Sequence, residues 1–180
     1  MSSSRIESRG PGRSIGALAL VAALLCGATP SSAAEARSSP EDRQRFLSVA
    51  GNLEQAPLKL GLAADREWAL AWLTNAPDVT VTLCPDALGG LVGSNYLYAG
   101  EIILQNSFSM GAFLIEHPEA ANDLNAQQLV GVEGALKAYR SILRDAPDAK
   151  SPALERLVET QTRGQLPDFV RKAWRRCSKK

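Results

Sequence analysis

The sequence predicts an all-α protein, with five or six helices packed around a central apolar helix at about residues 94–116. Three observations predict this class. Apolar residues recur at intervals of three and four along several segments, and prolines next to capping residues open some of these segments. The segment 94–116 is apolar on nearly every side, which is typical of a helix buried at the centre of its domain.

The first 34 residues have the order of a secretory signal peptide. Arginines at the start precede an uncharged run from Ser14 to Ala28, and Pro30 and small residues follow it. A basic end, an apolar segment and a small-residue cleavage site are the three parts of such a signal. We therefore predict cleavage after Ala34 and export to the periplasm or the exterior.

Two other interpretations of this segment are weaker. An uncleaved anchor needs about 20 predominantly apolar residues, and this run is shorter. A lipoprotein modified at Cys26 needs a small residue before the cysteine, whereas Leu25 stands there. No later segment is long and apolar enough to span a membrane, so the sequence predicts no membrane span in the mature chain.

Cleavage would leave a nearly neutral domain with two cysteines. Lys plus Arg falls from 20 to 17 and Asp plus Glu from 19 to 18, which gives a formal charge of −1 and no general attraction for nucleic acid. Cys84 and Cys177 have one intramolecular pairing in an oxidising compartment. Because no Cys-x-x-Cys is present, a structural disulfide is favoured over a redox-active pair or an exposed thiol.

The N-terminal half of the predicted domain, which we place at 41–180, contains two helices. Residues 35–40 are small and polar, and we expect a disordered N-terminus there. A serine, a proline and two acids then begin a helix that ends at about Leu53. A second helix spans 65–75. Alternating apolar residues on either side of it predict one short β ladder, 58–62 with 79–83.

The C-terminal half is helical throughout. The central helix ends before Pro118. An amphipathic helix spans 125–144, another runs from Pro152 to Gly164, and the last begins at Pro167 with Cys177 on its inner face.

Part of this half resembles the tetratricopeptide repeat family. Ala135, Tyr139, Ile142 and Pro147 follow one another at intervals of four, three and five, which is similar to the second helix of such a repeat and its closing proline. The resemblance spans residues 127–177 and implies a helical-hairpin interaction module. A general pair of antiparallel helices gives the same spacing, and the first helix lacks the repeat's large aromatic residue and Leu-Gly pair.

A polar stripe runs along the central helix. Glu101, Gln105 and Glu116 share it, with Tyr98 beside them. The stripe is either the solvent-facing side of the helix or a seam that binds a ligand or partner. Glu101 and Glu116 would lie about 22 Å apart along a helix, too far for a catalytic carboxylate pair.

The C-terminal helix carries a group of basic residues: Arg171, Lys172, Arg175 and Arg176. Cations near the end of a helix complement its macrodipole. The same residues also suit a docking patch for an anionic partner.

Residues typical of catalysis are scarce. One histidine, His117, and two cysteines predicted to pair do not make a usual zinc site, and no nucleophile or phosphate-binding motif occurs. The sequence therefore predicts no metal and no cofactor. It predicts an exported, non-catalytic binding protein of the cell envelope, whose partner is an envelope protein or a small ligand. A carboxylate-dependent enzyme acting at the polar stripe is the alternative.

Overall fold

Six α-helices, joined by short 3₁₀ turns and loops, make up the described part of the computed structural model, residues 37–179. The predicted signal peptide and its cleavage site lie outside the described residues, as do residues 35 and 36. The helices are α1 Pro40–Gln55, α2 Ala63–Asn75, α3 Ala99–Glu116, α4 Leu124–Asp145, α5 Pro152–Thr162 and α6 Leu166–Cys177. The predicted all-α class is confirmed.

Side-chain caps explain where several helices begin. Ser39 accepts a hydrogen bond from the Asp42 backbone N–H at 3.0 Å, and Asp123 accepts one from the Ala126 N–H at 3.0 Å. Such caps satisfy amide donors that have no partner within the first turn. We expected disorder over residues 35–40, but Pro40 already belongs to α1 and the Ser38 N–H donates to Asp78 Oδ1 at 3.1 Å.

The predicted β ladder is wrong. Leu60–Leu62 forms a 3₁₀ turn closed by a hydrogen bond from the Leu62 N–H to the Lys59 carbonyl at 3.0 Å. This turn prevents the extended pairing that the alternating leucines suggested. Residues 79–83 do run without a turn or bend, but within residues 37–179 they pair with no other strand.

The larger of two buried clusters, which we call the aliphatic core, lies between α4, α5, α6 and the 3₁₀ turn Pro85–Leu88. Its members are almost all aliphatic and nearly inaccessible to solvent. They include Leu88, Leu91, Ile102, Val132, Leu136, Ile142, Leu154, Leu157, Leu166 and Val170. Each such side chain stabilises the fold by roughly 1.5–3 kcal/mol on full burial.

The smaller cluster, the aromatic core, joins α1, α2 and α3. Phe46 lies at its centre, 4.6 Å from the ring of Trp72 and 5.8 Å from that of Phe108 in an edge-on arrangement. Because α3 contributes Ile102 to one cluster and Phe108 to the other, it is the predicted central helix, although it begins at Ala99 and not at about residue 94.

Two glycines of α4 let it pack closely against α3. A Cβ atom added at Gly134 would lie 1.9 Å from Ser109 Oγ, and one added at Gly131 would lie 2.8 Å from Asn106 Nδ2. No real side chain fits at these distances, so the absence of a Cβ determines how near the two helices come.

Candidate functional site

The cysteines predicted to pair do form a disulfide. Cys84 directly precedes the Pro85–Leu88 turn and Cys177 is the last residue of α6, with their Cα atoms 5.7 Å apart. Next to the bond, Arg176 Nε donates to Asp86 Oδ2 at 3.0 Å. The bridge therefore attaches the middle of the chain to its C-terminal helix.

The predicted polar stripe does not form one surface. Gln105 is only 3 % exposed, and its Nε2 donates to the Ala50 carbonyl at 3.2 Å and to Ser109 Oγ at 3.1 Å. Its amide group thus connects α3 to α1. The stripe is therefore not a simple solvent-facing side of the helix.

Gln105 lies at the floor of a groove of about 230 Å³ between α1, α3 and α4, which we call the central groove. Glu54, Glu133 and Glu116 line it together with Lys137, whose Nζ lies 3.6 Å from Glu54 Oε1. The pairing of Lys137 with Glu54 connects α4 to α1 across the groove. Gln105 and Lys137 thus make contacts that hold the helices together.

The two carboxylates singled out in the sequence lie in different surroundings. Glu116 is exposed at the end of α3 and lines the central groove, whereas Glu101 is half-buried and does not line it. Glu101 lies instead near Tyr96. The only histidine, His117, is on the surface, with Nδ1 3.2 Å from Glu119 Oε1.

Tyr98, the remaining residue of the stripe, lines a larger groove of about 670 Å³ between the loop before α3 and the start of α5. We call it the tyrosine groove. The rings of Tyr96 and Tyr98 meet edge to face, 5.9 Å apart, and the Tyr96 hydroxyl donates to the Ala149 carbonyl at 3.0 Å. Leu97, between them, is 79 % exposed at the groove.

Several polar side chains in the tyrosine groove have no partner among the described residues. Lys150, Arg156, Asp148 and Asn95 line it, and within residues 37–179 their side chains make no hydrogen bond or ion pair. The Tyr98 hydroxyl likewise makes no hydrogen bond within these residues. The groove therefore presents aromatic faces together with free donors and acceptors.

The wall of this groove is held by a buried tyrosine. The Tyr139 hydroxyl accepts a hydrogen bond from the Ser151 N–H at 3.0 Å and donates one to Glu155 Oε1 at 2.6 Å. Burial raises the pKa of Tyr139, as does the bond to Glu155, so the phenol stays protonated and keeps donating. At the other wall, burial raises the pKa of Tyr96 to about 12, with smaller contributions from Tyr98 and Glu101.

A third groove, of about 320 Å³, lies between α2 and residues 79–83. We call it the α2 groove. Most of its lining is apolar, and its rim carries Leu70, 43 % exposed, and Leu83, 47 % exposed.

The basic group on α6 is partly paired within the chain. Arg171 pairs with Asp168, and Arg176 pairs with Asp86. Lys172 and Arg175 are exposed. Half of the predicted anionic-partner patch is therefore already neutralised.

Sequence reasoning identified Tyr98 but missed the other residues of the tyrosine groove. The groove brings together two loops that are distant in the chain. A local signal existed, since Tyr96 and Tyr98 flank a leucine, and Lys150 precedes a Ser-Pro helix start.

No family model, curated protein or solved structure matches the chain. In residues 37–179, no helix is long and apolar enough to cross a membrane. The same part of the chain has no group of three or more histidine, cysteine or acidic residues that could hold a metal ion.

Proposed function

We propose that this protein is an exported, non-catalytic binding protein of the cell envelope, and that the tyrosine groove is its binding site. The observation that carries the proposal is the set of side chains in that groove. Two tyrosine rings lie beside polar groups that have no partner in residues 37–179. Free polar groups next to aromatic faces are what ligand recognition requires.

The size and support of the tyrosine groove favour this role. Its volume of about 670 Å³ falls within the range of roughly 300–1,000 Å³ that is common for ligand sites. Hydrogen bonds from Tyr96 to Ala149 and from Ser151 to Tyr139 hold its two walls in place. A preformed site loses less conformational entropy when it binds.

Export is supported by the disulfide and by the signal-like first 34 residues. Intramolecular disulfides persist in oxidising compartments such as the periplasm. Two measurements test this part of the proposal. Protein isolated from the envelope should begin at or within two residues of Glu35, and it should resist thiol alkylation until it is reduced. A mature chain that keeps its first residues, or that has free thiols, contradicts export with cleavage.

Site-specific photocrosslinking in the native host tests the groove. A photoreactive amino acid replaces Leu97, which is 79 % exposed in the tyrosine groove, or Leu60, which is 92 % exposed and lines none of the grooves described above. We expect a defined adduct from position 97 alone. Arg156→Ala and Tyr98→Ala should each reduce that adduct. Equal labelling at both positions, or an adduct that neither substitution weakens, contradicts the proposed site.

A further inference from the structure

The segment Val79–Leu83 has the shape of a strand but no strand beside it. It runs without a turn or bend, and its sequence alternates valine and threonine before a leucine, residue types that favour strands. Its backbone amides make no hydrogen bond to the described residues. Within residues 37–179, its one backbone hydrogen bond is at Thr82, whose carbonyl accepts from Gln128 Nε2.

This contact determines which edge of the segment is free. Gln128 is a fully buried residue of α4, so the Thr82 carbonyl points toward α4. In an extended chain, the backbone groups of successive residues point to opposite edges. The backbone groups of Val81 and Leu83 therefore lie on the edge away from α4, where no described backbone group pairs with them.

The α2 groove beside this segment suits side chains of an added strand. Leu70 and Thr74 of α2 line one wall, and Val79, Val81 and Leu83 line the other. All of its lining side chains among the described residues are uncharged. An added strand would thus find backbone partners at one edge and an apolar surface for its alternate side chains.

The two ends of the segment differ in charge. At the Leu83 end, the disulfide brings the cationic end of α6 close, with Arg175 and Lys179 exposed. At the opposite end, Asp78 is bound by Arg43. Burial acts to raise the pKa of Asp78, but hydrogen bonds from Ser38 and Arg43 outweigh it and hold that pKa below its ordinary value.

From this arrangement we propose that the edge of Val79–Leu83 binds an extended segment of a partner protein by strand addition. The bound segment carries uncharged, alternating β-branched residues in the α2 groove and acidic residues beside the disulfide. A second copy of this chain is a poorer occupant. Its own segment is bordered by Asp78, which Arg43 already neutralises, so it would bring no free acid to the cationic end. This proposal does not depend on the tyrosine groove.

Synthetic peptides test the backbone pairing directly. The purified full chain, with its disulfide intact, is titrated with a fluorescent peptide of alternating valine and threonine joined to aspartates at either end. Two further versions are N-methylated at alternate residues, one in each register. We expect one register to lose binding about tenfold or more, because the amides facing the protein are blocked, and the other to keep it. Equal binding by both N-methylated peptides overturns strand addition.

Substitutions at exposed positions locate the site. Leu70→Arg and Leu83→Arg, made separately, should each weaken binding about tenfold, since each places a charge in an uncharged groove. Leu60→Arg is the matched control and should bind like the wild type. Circular dichroism and thermal melting verify that each variant is folded. If the Leu60 and Leu70 variants behave alike, the α2 groove is not the site.

Charge and oligomeric state complete the test. Replacing the aspartates of the peptide by lysines should weaken binding, and added salt should reduce that difference. Lysine peptides that bind as tightly overturn the acidic part of the proposal. Sedimentation of the chain alone should show a monomer. A dimer that Leu70→Arg dissociates would assign the edge to a second copy and overturn the proposed partner.

Discussion

The aliphatic core and the aromatic core differ in how they are closed. Around the aliphatic core, a disulfide joins Cys84 to α6, and the ion pair between Arg176 and Asp86 lies next to it. The aromatic core has no crosslink among the described residues. It is bordered by the α2 groove and by residues 79–83, whose amides have no partner in the described chain.

This difference shows where the chain completes its own packing and where it leaves an opening. Four elements and a covalent bond surround the aliphatic core, so its leucines are nearly inaccessible. Around the aromatic core, α2 and residues 79–83 leave two large leucines at a rim. A surface that exposes apolar side chains and an unpaired strand edge is suited to binding other chains.

The largest expected effect comes from removing the crosslink. In Cys84→Ser/Cys177→Ser, we expect the free energy of unfolding to fall by up to about 4–5 kcal/mol, because a long loop of the unfolded chain is no longer closed. Urea denaturation of the oxidised wild type and the double variant measures the change. Hydrogen exchange through local opening should also increase, mainly in α6 and the Pro85–Leu88 turn, because the bridge joins these two elements in the folded protein. If local opening increases equally in α1 and α2, the crosslink does not distinguish the two cores.

A smaller effect is expected at the junction that both cores share. Gly134→Ala puts a methyl carbon 1.9 Å from Ser109 Oγ and 2.6 Å from Ser109 Cβ. Rotation of the serine moves only Oγ, so α3 and α4 must separate. Overpacking of this kind costs about 1–3 kcal/mol, less the gain in helix propensity of alanine.

Gly51→Ala is the control for this substitution. It lies in α1 with no atom within 4 Å of the new Cβ, and it should be neutral or stabilise the fold by up to about 1 kcal/mol. Thermal melts of both variants decide the question. A stable Gly134→Ala protein would show that the helices can separate without loss.

Much of the fold could be predicted from the sequence because its signals are local. Proline and serine caps, together with the spacing of apolar residues, predicted the six helices. Most of the predicted helix ends lie within a few residues of the observed ones. The ladder was predicted wrongly since period-two patterns over five residues also occur in a 3₁₀ turn, as at Leu60–Leu62. One edge of Val79–Leu83 faces α4, because Gln128 donates a hydrogen bond to the Thr82 carbonyl. No local pattern in the sequence predicts this contact between distant residues.

The candidate sites were less predictable for the same reason. A helical wheel put Gln105 and Glu101 on one stripe, but it did not show that α1 would bury Gln105 and that Glu101 would lie near Tyr96. Cys84 and Cys177 could be paired because elimination left one possible partner for each. The tyrosine groove needed the contact of Tyr96 with Ala149, which joins two loops distant in the chain.

A still smaller effect tests the one buried phenol of the aliphatic core. In Tyr139→Phe, the Ser151 N–H and Glu155 lose their partner, and we expect a loss of about 1–2 kcal/mol in the free energy of unfolding. The start of α5 should also exchange its amide hydrogens faster. Glu155→Gln, which keeps an acceptor for the phenol, should cost less. Equal losses in both variants would mean that the bond to Ser151 contributes little.

A last expected effect, which appears only at high pH, separates the two cores. All three tyrosines of the chain lie in or beside the aliphatic core. Because the pKa of Tyr96 is raised from 10.0 to about 12 in the folded protein, its contribution to stability is complete below pH 10 and is lost as the pH rises toward 12. Urea denaturation between pH 9 and 12 should therefore show a steeper loss of stability for the wild type than for Tyr96→Phe.

Trp174 adjoins the aliphatic core, whereas Trp68 and Trp72 adjoin the aromatic core. One variant keeps Trp174 as its only tryptophan, and a second keeps Trp68 and Trp72. As the pH rises, the fluorescence of Trp174 should change first, and an earlier change at Trp72 would contradict the separation.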